Sequence, residues 1–340
     1  ADTARGLAAS VAFSYGPMAN AIDRATLRAP AWLRPMLFFG PLALATAAIE
    51  LPVEFVQGYT LERRYGLSEQ PREQWLAEYA KSTALSAGVT VLLTSLFGIA
   101  VRHAPRWWPL IAGAGVFPLL VLANVVVPLY VMPLFNRFEP VTGSLEERLR
   151  NLAKRYGVGD AEILRMDMSR QTRKANAFVT GIGRTHRIVL GDTLIDAFSE
   201  NEIEFVVAHE LGHYVSKDTW RAIAIGEALA VALFLAAILS TPHEEREELR
   251  KHALLLLRFY SVMTAATQVL RPLLFAFSRS REWAADRFAL EATRDARAGA
   301  SAFRRLRDQN LADEDPPGWY ELFFSSHPSL KNRIAALENV

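Results

Sequence analysis

Five apolar stretches, each long enough for the ~20 residues a helix needs to cross a bilayer, constrain this 340-residue chain more than any other feature. They run over Pro35–Val56, Thr83–Val101, Pro109–Met132, Arg221–Leu239 and Ala253–Phe277. The first four carry at most a few ionisable groups. The fifth holds Arg258, Gln268 and Arg271, with Pro272 near its end, and such groups normally face a bundle interior or a cavity rather than lipid. Core helices of a large soluble protein are the competing reading, but several such runs in one chain are unusual in water. Apolar residues make up 51% of the chain and mean hydropathy is +0.10. That is high for a soluble protein and low for one lying wholly in lipid, so a protein divided between membrane and water is expected.

The spans divide the rest. Two connections are short: Arg102–Trp108, and Ser240–His252 with its Glu244–Glu248 cluster. Gln57–Ser82, Pro133–Trp220 and Ser278–Val340 are long and mixed in character. The expected organisation is an N-terminal segment (1–34), membrane helices (35–132), a first part of a catalytic domain (133–220), a membrane hairpin (221–277) and a second catalytic part (278–340). Within the aqueous parts, Leu145–Tyr156 reads as an amphipathic helix, and Ala161–Met166 and His186–Leu190 as strands between glycine-rich turns. The fold class expected is mainly α: a multi-pass transmembrane bundle with a zincin-like α+β catalytic domain carrying a small β-sheet.

His209-Glu210-Leu211-Gly212-His213 supplies the chemistry. On a helix, H-E-x-x-H puts two imidazoles one turn apart with a carboxylate beside them, as a zinc hydrolase needs. Ser199 is a candidate N-cap for that helix, with Glu202 at the reciprocal position. The chain has no cysteine, which removes disulfides, thiolate ligands and a cysteine nucleophile together, so any metal is held by His and carboxylate. A net charge of +2 gives no electrostatic reason for a nucleic-acid partner.

Catalytic zinc usually has three protein ligands and an open position for water. Counted through the spans, the metal helix and everything from Ser278 onward share one face of the membrane. This excludes His103, His243 and His252 and leaves His186, His327 and the carboxylates. Glu282 and Asp286 sit four apart on a predicted helix, Arg279–Leu290, where two like charges repel unless a cation is near. One reading makes Glu282 the third ligand and Asp286 the acceptor for the outer N–H of a metal-bound histidine. The other is a solvated helix face balanced by Arg279, Arg281 and Arg287. On spacing alone both stand.

Ser278-Arg279-Ser280-Arg281-Glu282-Trp283-Ala284-Ala285-Asp286, following a membrane hairpin after the H-E-x-x-H, resembles the type I CAAX prenyl endopeptidases, integral-membrane zinc metalloproteases. Leu51–Gln70, Pro133–Phe138, Asn176–Phe178 and Ile188–Leu194 are similar to further segments of that family, so the resemblance covers roughly Pro35 to the end. It implies that Glu282 is the third zinc ligand. It also implies that His327 and Arg333 contact the substrate end and the developing oxyanion, and that Asn176, Ala177 and Phe178 form the edge strand to which an extended peptide adds. Family members usually begin with a further membrane helix. Residues 1–34 are too polar for one and are broken by Pro17 and Pro30. The chain begins at Ala1 without a methionine, which fits a processed or trimmed product, and what is present holds no signal peptide.

The expected function is therefore peptide-bond hydrolysis by water activated on one zinc ion, with Glu210 as general base. The expected partners are the lipid bilayer and a peptide or protein substrate, prenylated or membrane-associated. For the resembled family the reaction removes the last three residues of prenylated proteins. Two alternatives compete: a membrane quality-control protease similar to HtpX, and a catalytically silent scaffold, which would be expected to have lost Glu210 or a ligand. Abundant arginine and alanine lean towards a GC-rich bacterium, hence an inner membrane, with the endoplasmic reticulum as the eukaryotic counterpart. Lys and Arg near the span ends are more numerous on the side of the metal helix, which favours a cytoplasmic catalytic face.

Overall fold

The structure is a computed structural model that describes residues 16–30, 33–104, 107–182, 185–240 and 253–340. His243, His252 and the Glu244–Glu248 cluster lie outside the described residues, as do residues 1–15 of the N-terminal segment. Helix α1 (Pro17–Thr26) has ten residues, too few to cross a bilayer. Helix α2 (Arg34–Phe55) runs on into a π-helical stretch, Val56–Leu61, just after Pro52, whose missing N–H disturbs the regular ladder.

Helix α3 (Arg72–His103) begins eleven residues before the apolar run that predicted it, and this corrects the reading of Gln57–Ser82 as a long connection. Glu73, Gln74, Leu76, Ala77, Glu78 and Ala80 are good helix formers, and Trp75 stacks on Tyr79 one turn along at 5.4 Å. Helix α4 (Trp108–Val126) likewise ends in a π-helical stretch, Val127–Val131, that contains Pro128.

Strand β1 (Phe138–Pro140), helix α5 (Ser144–Arg155) and strands β2 (Glu162–Met166), β3 (Ala177–Thr180) and β4 (Arg187–Gly191) follow. The sheet order is β1-β2-β4-β3, with β2 and β4 parallel and the other pairs antiparallel. Consecutive Ile188, Val189 and Leu190 are all buried, as expected of a strand paired on both sides. β1 and β3 are the two edge strands. After α6 (Asp192–Ala197) comes α7 (Glu200–Val215), the motif helix, then α8 (Asp218–Ser240), the 41-residue α9 (Ala253–Thr293), α10 (Ala296–Asn310), α11 (Gly318–Phe324) and α12 (Leu330–Glu338).

Among the described residues, four helical stretches are long and apolar enough to cross a membrane: Arg34–Arg64, Arg72–Ala100, Leu110–Leu134 and Asp218–Ala236. In each, only 6 to 11% of the apolar window is buried within the protein. Water would leave those surfaces uncovered, whereas lipid covers them. The fifth predicted stretch is the first part of α9. The chain is thus a multi-pass, mainly α membrane protein with a small sheet.

It divides into two compact units. One comprises residues 1–57, 73–119 and 224–270, with a cluster of Ala19, Phe38, Phe39, Trp108 and Leu257. The other comprises residues 58–72, 120–223 and 271–340. Its core joins α5 (Leu149, Leu152), β4, α7 (Phe205, Val207, Leu211) and Phe303 of α10.

The start of α7 follows the capping-box expectation. Ser199 accepts from the Glu202 N–H, and Glu202 accepts from the Ser199 N–H. The other oxygen of Glu202 accepts from Ser301 Oγ and from Arg305 Nε at 2.9 Å. Burial alone would raise the pKa of Glu202, but the bonds from Ser301 and Ser199 and the charge of Arg305 hold it below its ordinary value. It therefore contributes stability above the pH where an unfolded glutamate titrates, about 4.3, and gives it up as the pH falls below that. Glu202→Ala should cost about 2 to 3 kcal/mol at neutral pH, because the cap and the buried partners are lost together. Thermal unfolding of the two proteins at pH 7 and in mild acid measures this, and the gap should narrow in acid.

Candidate active site

Every residue of the candidate site belongs to the second unit. His209 and His213 leave the same face of α7, and their Nε2 atoms are 3.3 Å apart. Glu282 arrives on α9, which crosses α7 at Gly212. A Cβ at that position would lie 3.1 Å from Ala285 Cα and 3.2 Å from the Phe288 ring, so only glycine lets the backbones close up without displacing a neighbour. Glu282 Oε1 then lies 3.3 Å from His213 Nε2, and Oε2 lies 3.4 Å from His209 Nε2. One donor atom from each of the three residues falls within 4.8 Å of the others.

The outer nitrogens are tied off. His209 Nδ1 is 2.8 Å from Asp286 Oδ1, and His213 Nδ1 is 3.0 Å from Asp218 Oδ2. A carboxylate accepts an N–H, so these partners assign the proton to each Nδ1 and leave both Nε2 lone pairs facing one point. Two such lone pairs repel once neither nitrogen carries a proton. Glu282 Oε2, moreover, is buried and, among the described residues, receives no hydrogen bond. A divalent cation at that point satisfies all three atoms, and two imidazoles with a carboxylate are a donor set that transition metals accept. Glu282 and Asp286 are both buried, so they do not lie on a solvated helix face.

A further layer holds the carboxylates. Arg333, itself buried, donates from Nε to Asp286 Oδ2 at 2.8 Å and from Nη2 to Oδ1 at 2.6 Å, a two-pronged geometry only arginine offers. Its guanidinium lies 4.2 Å from the centroid of the Phe303 ring, and its Nη1 is 3.5 Å from Glu282 Oε2. Arg281 Nε donates to Asp218 Oδ1 at 2.7 Å. Asp218 and Phe303 were not read from the sequence, and Arg281 was read only as a counter-charge on a solvated face. Asp218 follows Lys217, whose φ of 55° breaks the helix, and this reversal brings the first residue of α8 beside His213. Asp218→Asn should weaken metal binding about 10- to 100-fold with little change in helicity. Competition against a chelating dye measures it, and an unchanged affinity would show that Asp218 does not orient the ring.

The electrostatics are those of a site built for a cation. Burial works to raise the pKa values of Glu282 and Asp286, yet the adjoining imidazoles, and Arg333 beside Asp286, bring both below the usual carboxylate range. Burial also disfavours a charged His209, but the carboxylates of Asp286 and Glu282 beside it outweigh that and raise its pKa to about 9. Without a bound ion the ring is therefore protonated at neutral pH, and a metal must displace that proton. Apparent metal affinity should rise with pH up to about 9 and then level off, which a titration series in competing chelator reads directly.

A cavity of about 370 Å³ opens onto this centre, lined by His209, Glu210, Glu282, His327 and Arg333 and, from the sheet edge, by Asn176 and Ala177. Glu210 is half-buried, and burial raises its pKa, which makes it a stronger base. The His327 side chain is 61% exposed, with Nε2 at 3.4 Å from Glu282 Oε1 and Nδ1 at 3.0 Å from Ser326 Oγ. Phe178 does not join this cavity. Successive side chains of a strand point to opposite faces, and Phe178 lines a separate apolar cavity with Leu120, Val127, Pro128 and Met132. Asn310 fixes the segment before β3, accepting from the Ala175 N–H at 2.8 Å and donating to its carbonyl at 3.2 Å.

A model of peptidase family M48 matches residues 140–340, which contain every residue around the His209–His213–Glu282 centre. The chain belongs to peptidase family M48. A second family model, described as the CAAX prenyl protease N-terminal region with five membrane helices, matches residues 2–137, so the likeness reaches further towards the N-terminus than Pro35. An uncharacterized metalloprotease of Bacillus subtilis, YhfN, is 31% identical over 320 residues, which is 90% of this chain and 74% of that protein. CAAX prenyl protease 1 of Saccharomyces cerevisiae is 25% identical over 330 residues, covering 90% of this chain and 72% of its own. In fold, the chain matches the crystal structure of S. mikatae Ste24p with a TM-score of 0.84 at 23% identity, over 91% of this chain and 77% of that one. This M48 protein is thus an integral-membrane metalloendopeptidase of the CAAX protease type, acting on peptide or protein substrates with a metal cofactor.

Proposed function

We propose that the metal is zinc, held by His209, His213 and Glu282, and that the substrates are peptides whose C-terminal end is prenylated or otherwise membrane-associated. The observation that carries this is the pairing of each Nδ1 with a carboxylate while both Nε2 atoms and Glu282 face one point. Two histidines and a glutamate are a common ligand set of catalytic zinc. Zinc, when bound, supplies the Lewis acidity that makes water nucleophilic near neutral pH.

The chain's own residues do the rest. Glu210 takes the proton of the attacking water and passes it to the leaving amine. His327, at the exposed rim of the cavity, donates to the oxyanion as it forms. Arg333 holds Asp286 against His209 and adds positive charge next to Glu282. The free edge of β3, with Asn176, Ala177 and Phe178, takes an extended peptide by backbone hydrogen bonds.

The name of the yeast relative supports the prenylated class. Bacterial YhfN supports a bacterial inner membrane, with the endoplasmic reticulum as the counterpart for eukaryotic relatives. The excess of Lys and Arg near the span ends supports a cytoplasmic catalytic face.

Incubating the purified protein with farnesylated and unmodified versions of one peptide, with and without chelator, tests the reading. Release of the last three residues from the farnesylated peptide alone, blocked by chelator and restored by zinc, is expected. Equal cleavage of both peptides would remove the prenyl requirement, and cleavage indifferent to chelator would remove the metal from the mechanism.

A further inference from the structure

Helix α11 has the sequence Gly-Trp-Tyr-Glu-Leu-Phe-Phe and buries none of its residues. Trp319 is 63% exposed, and Tyr320, Leu322, Phe323 and Phe324 are each exposed by more than two-fifths. Five large apolar side chains in six positions, all open, form a patch of the kind that a protein surface in water rarely keeps without something to cover it.

Its anchorage says what covers it. Arg279 Nη1 donates to the carbonyls of Glu321 and Ser325, both at 2.8 Å. The Arg271 guanidinium lies 5.7 Å from the Phe324 ring centroid and 4.8 Å from that of Phe275. These contacts hold α11 beside residues 271–279 of α9. That is where α9 changes character: Leu273 is 70% exposed to its surroundings, while Arg279, Arg281 and Glu282 follow within three turns. On a membrane helix this change marks the level of the lipid headgroups, where Trp and Tyr are enriched and arginine side chains reach towards water.

We propose that α11 is an interfacial helix, with its aromatic face set into the headgroup region of the bilayer on the catalytic side. The occupant is lipid, continuous with the lipid around the apolar part of α9. This rests on the membrane placement of the chain and not on which peptide is cut. It matters for the site because α11 leads directly into Ser325, Ser326 and His327, and Ser325 and His327 line the cavity at the metal centre. A bilayer contact here holds one wall of the cavity at the membrane surface, where a membrane-attached peptide arrives.

The absence of cysteine allows a direct test. A polarity-sensitive dye on Phe323→Cys, in the full chain reconstituted into phosphatidylcholine vesicles, is compared with the same dye on Glu147→Cys, an exposed position of α5. The Phe323 label should emit further to the blue. Lipids bearing a nitroxide near the headgroup should quench it several-fold more than the Glu147 label, and aqueous iodide should quench it less. Equal access of iodide to both labels, with no lipid quenching, would overturn the proposal. So would quenching by a nitroxide carried on a second copy of the chain but not on lipid. Tyr320→Cys asks the same question if Phe323→Cys is poorly produced.

Discussion

Glu210→Ala will purify with its metal in place and cut nothing. Glu210 lies next to His209 on α7 and lines the same cavity, but the three converging donor atoms come from His209, His213 and Glu282. Removing its carboxylate therefore leaves the ligand set intact. What disappears is the group proposed to receive the proton of the attacking water, a contribution of roughly 10²- to 10⁴-fold for a well-placed general base. Burial, which raises its pKa, places it nearer the value that makes proton transfer efficient. Metal content by elemental analysis beside turnover of a peptide substrate checks both halves of the expectation. Retained turnover would dismiss Glu210 as the base, and lost metal would mean that it supports the ligands.

The converse result is expected of Glu282→Gln, which should fold and lose the metal. The amide keeps the size of the side chain but surrenders the charge between His209 and His213, and it can offer only one oxygen to a cation. Replacing a residue that merely orients a ligand costs 10- to 100-fold in affinity, so replacing a ligand should cost more than about 100-fold. The helices α7 and α9 still meet through Gly212 and Ala285, so circular dichroism and the unfolding temperature measured without metal should stay close to those of the parent. If Glu282→Gln bound metal as tightly as the parent, the His–His–Glu centre would have to be abandoned, however well Glu210→Ala behaved. The two variants together separate holding the ion from using it.

How much of this could be read in advance depended on how local each signal was. The two histidines, Glu210 and the Ser199–Glu202 cap lie within one helix, where spacing alone determines which side chains meet. Glu282 and Asp286 showed themselves only as a like-charged pair, and spacing left a solvated face as a competing reading until burial placed them in the interior. Asp218 gave no signal, because its approach to His213 depends on the left-handed turn at Lys217. Arg333 was reached by family likeness, and its bidentate hold on Asp286 spans 47 positions of sequence. The strands β2 and β4 were legible from their apolar runs. By contrast β1, with three residues, is too short to show alternation, and α10 and α11 were passed over although a helix over Arg279–Leu290 was read just before them. The membrane runs were found but their ends were not. Hydropathy sees where a helix leaves lipid and does not see where it stops being a helix, as the early start of α3 illustrates.

The closeness of α7 and α9 at Gly212 has a consequence for how the protein comes into being. On the ribosome the two histidines are made first, and Glu282 is made only after the membrane-spanning parts of α8 and α9. No growing chain that stops short of Glu282 holds all three donors, so the centre stays unassembled until the hairpin that lies between them in sequence has been made.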